Sequence, residues 1–86
     1  MNDTTLQEAV GGALRNVRME KKLTLRKVQE KCFVSIAHLS DIERGVKNAS
    51  FELLEVIYTL GYGLTTKEFL NQMYHYTQGK RVGDVN

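Results

Sequence analysis

The stretch TLRKVQEKCFVSIAHLSDIERG, residues 24–45, decides the fold of this chain. Apolar residues recur at helical spacing on both sides of a short break, which predicts two amphipathic helices joined by a tight turn. These residues are Leu25, Val28 and Cys32 before the break, and Val34, Leu39 and Ile42 after it. Ser35 stands where a helix N-cap is expected, and Gly45 stands where a helix should end. A two-helix unit of this length can place one helix in the major groove, so the stretch predicts DNA binding.

A first helix is predicted upstream, from about Thr5 to Glu20, with Thr5 and Glu8 as a capping box. Its apolar residues follow one face, which we expect to be buried: Leu6, Ala9, Val10, Ala13, Leu14 and Val17. Gly11 and Gly12 each lower the helix propensity by about 1 kcal/mol relative to alanine. They mark either a bend or a close contact with another helix, and the pattern leaves both explanations open.

Two more helices are predicted downstream of the two-helix unit. Helix four begins near Ser50 and ends at Gly61, and its expected core residues are Leu53, Leu54, Ile57 and Leu60. Helix five begins near Thr65, where Glu68 completes a second capping-box pattern. The chain has no proline, and no segment alternates in the manner of a strand. The predicted fold is therefore a compact all-α bundle of five helices.

The composition is that of one small globular domain. The chain has 86 residues, of which 42% are hydrophobic and 26% are charged, and these are ordinary values. We expect residues 1–77 to form the domain and the polar residues 78–86 to form a flexible tail. A cytoplasmic location is expected, because no apolar run approaches the roughly 20 residues of a membrane span and no signal pattern opens the chain. The single cysteine excludes an internal disulfide.

Basic residues are concentrated in one part of the chain. Nine of the twelve lie between Ala13 and Lys47, together with four acidic residues, whereas the rest of the chain holds three basic and six acidic residues. This bias is typical of a protein with one face that attracts a polyanion. Simple solvation of these side chains is the alternative explanation, and the two-helix motif favours DNA.

From about Gly12 to Leu70 the chain resembles the Cro/phage-repressor class of helix-turn-helix domains, also called XRE-like. The resemblance is carried by L-R-x-x-R at 14–18, L-T-L at 23–25, V-S-x-x-x-L-S-x-I-E-R-G at 34–45 and the L-L-x-x-I-x-x-L run of helix four. Within this class the chain is most similar to the actinobacterial regulators of Clp protease genes, which share the phrase between Thr24 and Leu54. The resemblance implies a lambda-repressor-like fold and a transcription regulator of phage, mobile-element or host origin that binds double-stranded DNA.

Three residues depart from the pattern of the class. Leu25 replaces a glutamine that often anchors a phosphate, so we expect that contact to be lost. Gln29 replaces a small alanine, which should alter the contact between helices two and three. Phe33 stands in the turn where glycine is common, and we expect it to fit there with a negative φ.

The recognition helix is predicted over residues 35–44, with base-reading residues in its N-terminal part and on its outer face. These residues are Ser35, Ile36, Ala37, Ser40 and Asp41. Ile36 and Ala37 can contact a thymine methyl, and Ser40 can donate or accept a hydrogen bond. Asp41 could accept from a cytosine amino group. Alternatively, Asp41 is a surface charge that repels phosphate and helps to exclude wrong sites.

Phosphate contacts are predicted at two places around this helix. The N-terminus of helix two offers free backbone N–H groups and the positive end of the helix dipole, and basic residues follow the recognition helix. The predicted phosphate-binding residues are Thr24, Arg26, Lys27, His38, Arg44, Lys47 and Asn48. Such contacts fix the register on DNA without reading its sequence, and they weaken as the salt concentration rises.

Arg18 and Glu43 receive a structural role from the resemblance, because the class pairs an arginine of helix one with the glutamate of the E-R-G phrase. We expect a partly buried ion pair that is costly to break from one side. No metal, cofactor or small-molecule site is predicted, since His38 and His75 lie far apart and Cys32 is the single cysteine. No serine–histidine–acid arrangement emerges either, so an enzyme is not expected.

A homodimer is the predicted assembly, because two recognition helices about 34 Å apart would enter successive major grooves of a roughly palindromic operator. The expected interface lies on helix five and comprises Phe69, Leu70, Met73, Tyr74 and Tyr76. The alternative is that Phe69, Leu70 and Met73 close the core while the tyrosines stay half-exposed. RNA polymerase is a further candidate partner through Glu30 of helix two, against the alternative of a solvated charge. An antitoxin or a restriction-modification controller that binds a protein partner is the alternative function.

Overall fold

The computed structural model describes residues 4–79, and it folds them into five α-helices with no strand in this range. The helices are α1 (Leu6–Glu20), α2 (Leu25–Cys32), α3 (Ile36–Glu43), α4 (Phe51–Val56) and α5 (Thr66–Thr77), and a π-helical turn (Ile57–Gly61) continues α4. The predicted all-α, five-helix fold is confirmed. Most of the predicted tail, residues 80–86, lies outside the described residues.

Helix starts are set by local capping. Thr5 with Glu8, and Thr65 with Glu68, each form the complete reciprocal capping box that the sequence predicts. The other three helices are capped by the hydroxyls of Thr24, Ser35 and Ser50, each of which accepts a backbone N–H. A side-chain cap of this kind contributes about 1 kcal/mol by satisfying a donor at the helix end.

The core lies between α1, α2, α3, the π-helical turn and α5. Its buried members include Ala13, Leu14, Val17, Val28, Cys32, Leu39, Ile42, Ile57, Tyr58, Tyr62 and Phe69. Two residues predicted to be buried are exposed instead, namely Leu6 and Leu60. Leu6 occupies the first position of α1, where no described element covers it closely enough to bury it.

The π-helical turn is the physical reason for the error at Leu60. Tyr62 donates its backbone N–H to the carbonyl oxygen of Ile57, five residues earlier, at 3.2 Å. A turn of this type is wider than an α-helical turn, so it shifts the phase of every residue that follows. Tyr62 consequently faces the core, and Leu60 faces outward.

Gly11 and Gly12 mark close contacts within a continuous helix. A Cβ atom on Gly11 would lie 2.2 Å from the backbone oxygen of Ile42 in α3, and one on Gly12 would lie 2.1 Å from the ring of Tyr76 in α5. Since α1 runs unbroken from Leu6 to Glu20, the close-contact explanation holds. Gly11 therefore sets how near α1 approaches α3.

Phe33 corrects a prediction about the turn between α2 and α3. It adopts a left-handed conformation with a φ of 62°, not a negative φ, and its side chain is 88% exposed. A residue with a Cβ atom is strained in this region, by about 1–2 kcal/mol. The backbone path of the turn therefore overrides the preference of the residue that occupies it.

Phe33→Gly is expected to raise the free energy of unfolding by about 1 kcal/mol, because glycine adopts a positive φ without the Cβ clash. Urea unfolding followed by circular dichroism measures the change. Phe33→Ala is the matched control, since it removes the exposed ring and keeps the strained Cβ atom. Equal stabilisation by both substitutions would assign the effect to the exposed ring instead of the backbone.

Candidate DNA-binding surface

The two-helix unit is anchored by its inner face. Val28 and Cys32 of α2, and Leu39 and Ile42 of α3, are all buried in the core. Leu25 packs partly buried against the same core, so the departure at this position adds an apolar contact. Gln29 is half-buried, and its effect on the contact between α2 and α3 stays a prediction. With its inner face held, α3 turns its other face outward.

The predicted base-reading residues lie on or beside this outer face. Ile36 and Ala37 are exposed, and Ser40 and Asp41 are half-buried. Ser35 is exposed as well, and its hydroxyl accepts the backbone N–H of His38 at 3.1 Å. The open surface of α3 therefore carries two apolar side chains near its start and polar groups further along, a combination that can contact base edges.

The predicted phosphate-binding residues form two groups. Arg26 and Lys27 are exposed in the first turn of α2, where the hydroxyl of Thr24 accepts the backbone N–H of Lys27 at 3.1 Å. The second group follows α3 and consists of Arg44, Lys47 and Asn48, all of them exposed. His38 is half-buried on α3. Cationic side chains therefore stand at the start of α2 and after the end of α3.

The turn after α3 is fixed by backbone hydrogen bonds. Val46 donates to the carbonyl oxygen of Asp41 and Gly45 donates to that of Ile42, both at 3.0 Å. These two bonds, with Gly45 at a φ of 73°, define a Schellman motif. Gln7 of α1 adds a hydrogen bond from its side-chain amide to the carbonyl oxygen of Gly45, at 2.5 Å. The chain is thereby folded back toward α3.

This turn brings an acidic side chain of α3 together with two cations. One carboxylate oxygen of Asp41 accepts a hydrogen bond from the guanidinium of Arg44, and the other lies 3.6 Å from the ammonium nitrogen of Lys47. The predicted base reader Asp41 is thus paired with two predicted phosphate-binding residues.

The ion pair expected between Arg18 and Glu43 is present and bidentate. Arg18 Nε lies 2.8 Å from Glu43 Oε2, and Nη2 lies 2.9 Å from Oε1. Arg18 also donates to the carbonyl oxygen of Leu23 at 3.1 Å, and the hydroxyl of Tyr62 donates to Glu43 Oε2 at 2.6 Å. Glu43 is buried, with 7% of its surface exposed. The network ties the last turn of α3 to α1 and to the residue after the π-helical turn.

The environment favours the charge states that this network needs. The hydrogen bond to Glu43 raises the pKa of Arg18, and the charge of Glu43 acts in the same direction. Burial raises the pKa of Tyr62 well above its usual value, and the negative charge of Glu43 raises it further. Tyr62 therefore stays a neutral donor beside a carboxylate that is held by a permanent cation.

Two residues that support α3 are absent from the sequence-based prediction. Tyr62 reaches Glu43 because the π-helical turn rotates it inward, and a pattern of period 3.6 carries no signal for that rotation. Gln7 meets Gly45 across 38 positions of the chain, and no local motif marks such a contact. Tyr62 is in turn held by Lys21, whose ammonium group donates a hydrogen bond to the Tyr62 carbonyl oxygen at 2.7 Å.

The predicted dimer residues of α5 do not share one environment. Leu70 and Tyr74 are exposed, and Met73 and Tyr76 are half-buried. Phe69 requires a correction, because it is 3% exposed and stacks on the ring of Tyr58 with centroids 4.5 Å apart. Its side chain belongs to the core, as the alternative interpretation had it, whereas Leu70, which that alternative also placed in the core, is exposed. Leu70 and Met73 also line a broad apolar groove together with Leu6, Phe51 and Leu54.

Metal-binding clusters and membrane-spanning helices are absent between Thr4 and Gly79. That range holds no group of three or more His, Cys, Asp and Glu side chains placed to bind a metal ion. None of its helices has the length and apolar character needed to cross a membrane. Glu30 is exposed and lies 3.6 Å from Lys27, and its contact with RNA polymerase stays a prediction.

Comparison with known proteins identifies relatives of this arrangement. The profile of the helix-turn-helix family HTH_3 matches residues 14–57, about half of the chain. The transcriptional regulator ClgR of Mycobacterium tuberculosis is 48% identical over 54 residues, which are 63% of this chain and 48% of ClgR. The chain spans about half the length of the curated relatives it matches.

Solved structures agree with the profile match. The clp gene regulator ClgR of Corynebacterium glutamicum superposes with a TM-score of 0.79 at 36% identity, covering 88% of this chain and 80% of that chain. The restriction-modification controller protein C.Esp1396I, solved as a tetramer with its natural 35 base-pair operator, superposes with a TM-score of 0.80 over 88% of this chain and 99% of its own. At 22% identity, this second likeness shows a shared fold.

Proposed function

Because the chain belongs to the helix-turn-helix family HTH_3, we propose that it binds double-stranded DNA in a sequence-specific manner and regulates transcription. The observation that carries the proposal is the state of α3. Its outer face is open, its inner face is buried, and its last turn is held by Arg18 and Tyr62 through Glu43. A reading surface on a rigidly held helix is what sequence discrimination requires. The role is one of binding, not catalysis.

Recognition divides between two sets of contacts. Ser35, Ile36, Ala37 and Ser40 meet base edges in the major groove, where apolar groups select thymine methyls and the hydroxyl of Ser40 donates or accepts. Asp41 lies beside them. The exposed cations at the start of α2 and after α3 hold phosphates on the two sides of the groove and set the register.

The active assembly is a homodimer on a roughly palindromic operator. A dimer places two α3 helices about one helical turn of DNA, roughly 34 Å, apart. Leu70 and Tyr74 of α5 support this assembly, because 56% and 61% of their surfaces are exposed although both are large and apolar or aromatic. Met73 and Tyr76 lie beside them, half-buried.

Titration of labelled duplexes at several salt concentrations tests the proposal. The probes are a duplex pool of random sequence and the duplex that the protein itself enriches from that pool. Arg44→Ala should weaken binding to the enriched duplex and lower its salt slope by about one, whereas Ser40→Ala should reduce the preference for that duplex and leave its salt slope unchanged. Arg15→Ala, which removes an equal charge from the exposed surface of α1, is the matched control.

The same titration, followed by mass measurement of the complex, should give two chains per enriched duplex. A wild-type protein that binds neither probe in dilute buffer would refute the proposed function. Binding of one chain per duplex would refute the homodimer alone.

A further inference from the structure

We propose that Asp41 sets the specificity of DNA binding by competing with phosphates for Arg44 and Lys47. The inference rests on the proposed function. A protein with many exposed cations needs a means of not binding every duplex equally well, and the recognition helix alone does not provide one. The carboxylate of Asp41 is a built-in anion. It occupies two phosphate-binding side chains until base contacts compensate for their release.

The geometry gives each carboxylate oxygen its own cation. Oδ1 accepts the guanidinium of Arg44, three residues on, and Oδ2 lies 3.6 Å from the ammonium nitrogen of Lys47. Lys47 reaches this place because the Schellman motif reverses the chain, and Gln7 holds that turn from α1. The second pairing is therefore positioned by the backbone as well as by a long side chain.

Burial separates this cluster from an ordinary surface pair. The side chain of Asp41 is 22% exposed, against 62% for Arg44 and 65% for Lys47. The anion is thus held in place while its two cations can swing away. In the pair between Lys27 and Glu30, by contrast, both side chains are about equally exposed, and such pairs contribute little.

Competition of this kind acts unequally on different duplexes. A phosphate that draws Arg44 and Lys47 away from Asp41 leaves the carboxylate facing DNA as an unpaired negative charge. On a duplex of arbitrary sequence only the new phosphate contacts offset that cost. On a matching duplex the base contacts of α3 offset it, and a cytosine amino group opposite Asp41 gives the carboxylate a new donor. Because only a matching duplex supplies that donor, the competition widens the gap in affinity between matching and arbitrary DNA.

Asp41→Asn tests the inference with the random pool and the enriched duplex. The variant should bind the random pool about three- to tenfold more tightly at low salt, because two cations become available to phosphates. Its affinity for the enriched duplex should rise less or should fall, so the ratio of the two affinities should drop. Glu20→Gln is the matched control, since it removes an equal charge from the exposed end of α1.

A second comparison isolates the cause. The background for this comparison carries Arg44→Ala and Lys47→Ala. In that background, Asp41→Asn should raise the affinity for the random pool no more than Glu20→Gln does. Thermal unfolding of each variant shows that the comparison is made between folded proteins.

The outcomes separate this inference from the function on which it rests. If the wild-type protein binds no duplex, the proposed function fails. If it binds, but Asp41→Asn and Glu20→Gln raise both affinities equally, the function stands and the inference fails. The inference also fails if Asp41→Asn weakens only the enriched duplex with no gain on the random pool, because Asp41 is then simply a base reader.

Discussion

Arg18→Ala should lower the free energy of unfolding by about 3–4 kcal/mol, since it leaves one charge of a buried pair without its partner. Glu43 keeps only 7% of its surface exposed and would retain a single hydrogen bond from Tyr62. The carbonyl oxygen of Leu23 would lose its donor as well. The cost exceeds that of a surface ion pair because the Glu43 carboxylate is buried, with its side chain only 4% exposed to water.

Urea unfolding at neutral pH measures this loss, with Arg15→Ala as the matched control. Arg15 lies on the same helix and is exposed, so its removal should change the free energy of unfolding by no more than about 0.5 kcal/mol. Glu43→Gln changes the other partner of the ion pair. It should also lower the free energy of unfolding, because Arg18 then has no anionic partner. Equal stabilities for the wild type and Arg18→Ala would show that the network adds nothing to the fold.

Gly11→Ala should cost about 2 kcal/mol or more, although alanine gains about 1 kcal/mol over glycine in a helix. The added Cβ atom would lie 2.2 Å from the oxygen of Ile42 and 2.7 Å from that of Glu43, both of them backbone atoms of α3. Backbone cannot rotate aside as a side chain can. The two helices must therefore separate, which disturbs the packing of the core between them.

Gly12→Ala provides the comparison one residue away. Its Cβ atom would meet the ring of Tyr76, which is half-buried near the end of α5 and can turn on its side-chain bonds. The clash and the gain in helix propensity should offset each other to within about 1 kcal/mol. Chemical denaturation measures the free energy of unfolding of both variants. If the Gly11→Ala protein is as stable as the Gly12→Ala protein, the close packing of α1 on α3 is contradicted.

The helix starts and the two-helix motif could be predicted because they depend on neighbours within a few positions. Thr5 and Glu8 satisfy each other's backbone N–H groups, and Ser35 caps α3 in the same local manner. The apolar residues at helical spacing, such as Val28 and Leu39, identify the inner face for the same reason. Errors occur where the spacing changes, as at Leu60, or where the chain path overrides a residue's preference, as at Phe33.

In the candidate site, too, some residues could be predicted from the sequence and others could not. The positions on the outer face of α3 follow from periodicity, and the Arg18–Glu43 pair follows from resemblance to a class. The participation of Tyr62 and the double pairing of Asp41 do not follow from either. The first needs the phase shift of the π-helical turn, and the second needs the reversed turn that returns Lys47 to α3.

Interactions between residues a few positions apart were enough to predict the helical segments, their caps and the exposed helix that can enter a groove. Tertiary packing decided the rest: which glycine lets α1 touch α3, which tyrosine completes a buried ion network, and which cations meet an anion. These contacts join residues that are distant in the chain, and their energies depend on distances and burial that exist only after the helices have packed. The pattern of residues along the chain therefore does not predict these contacts.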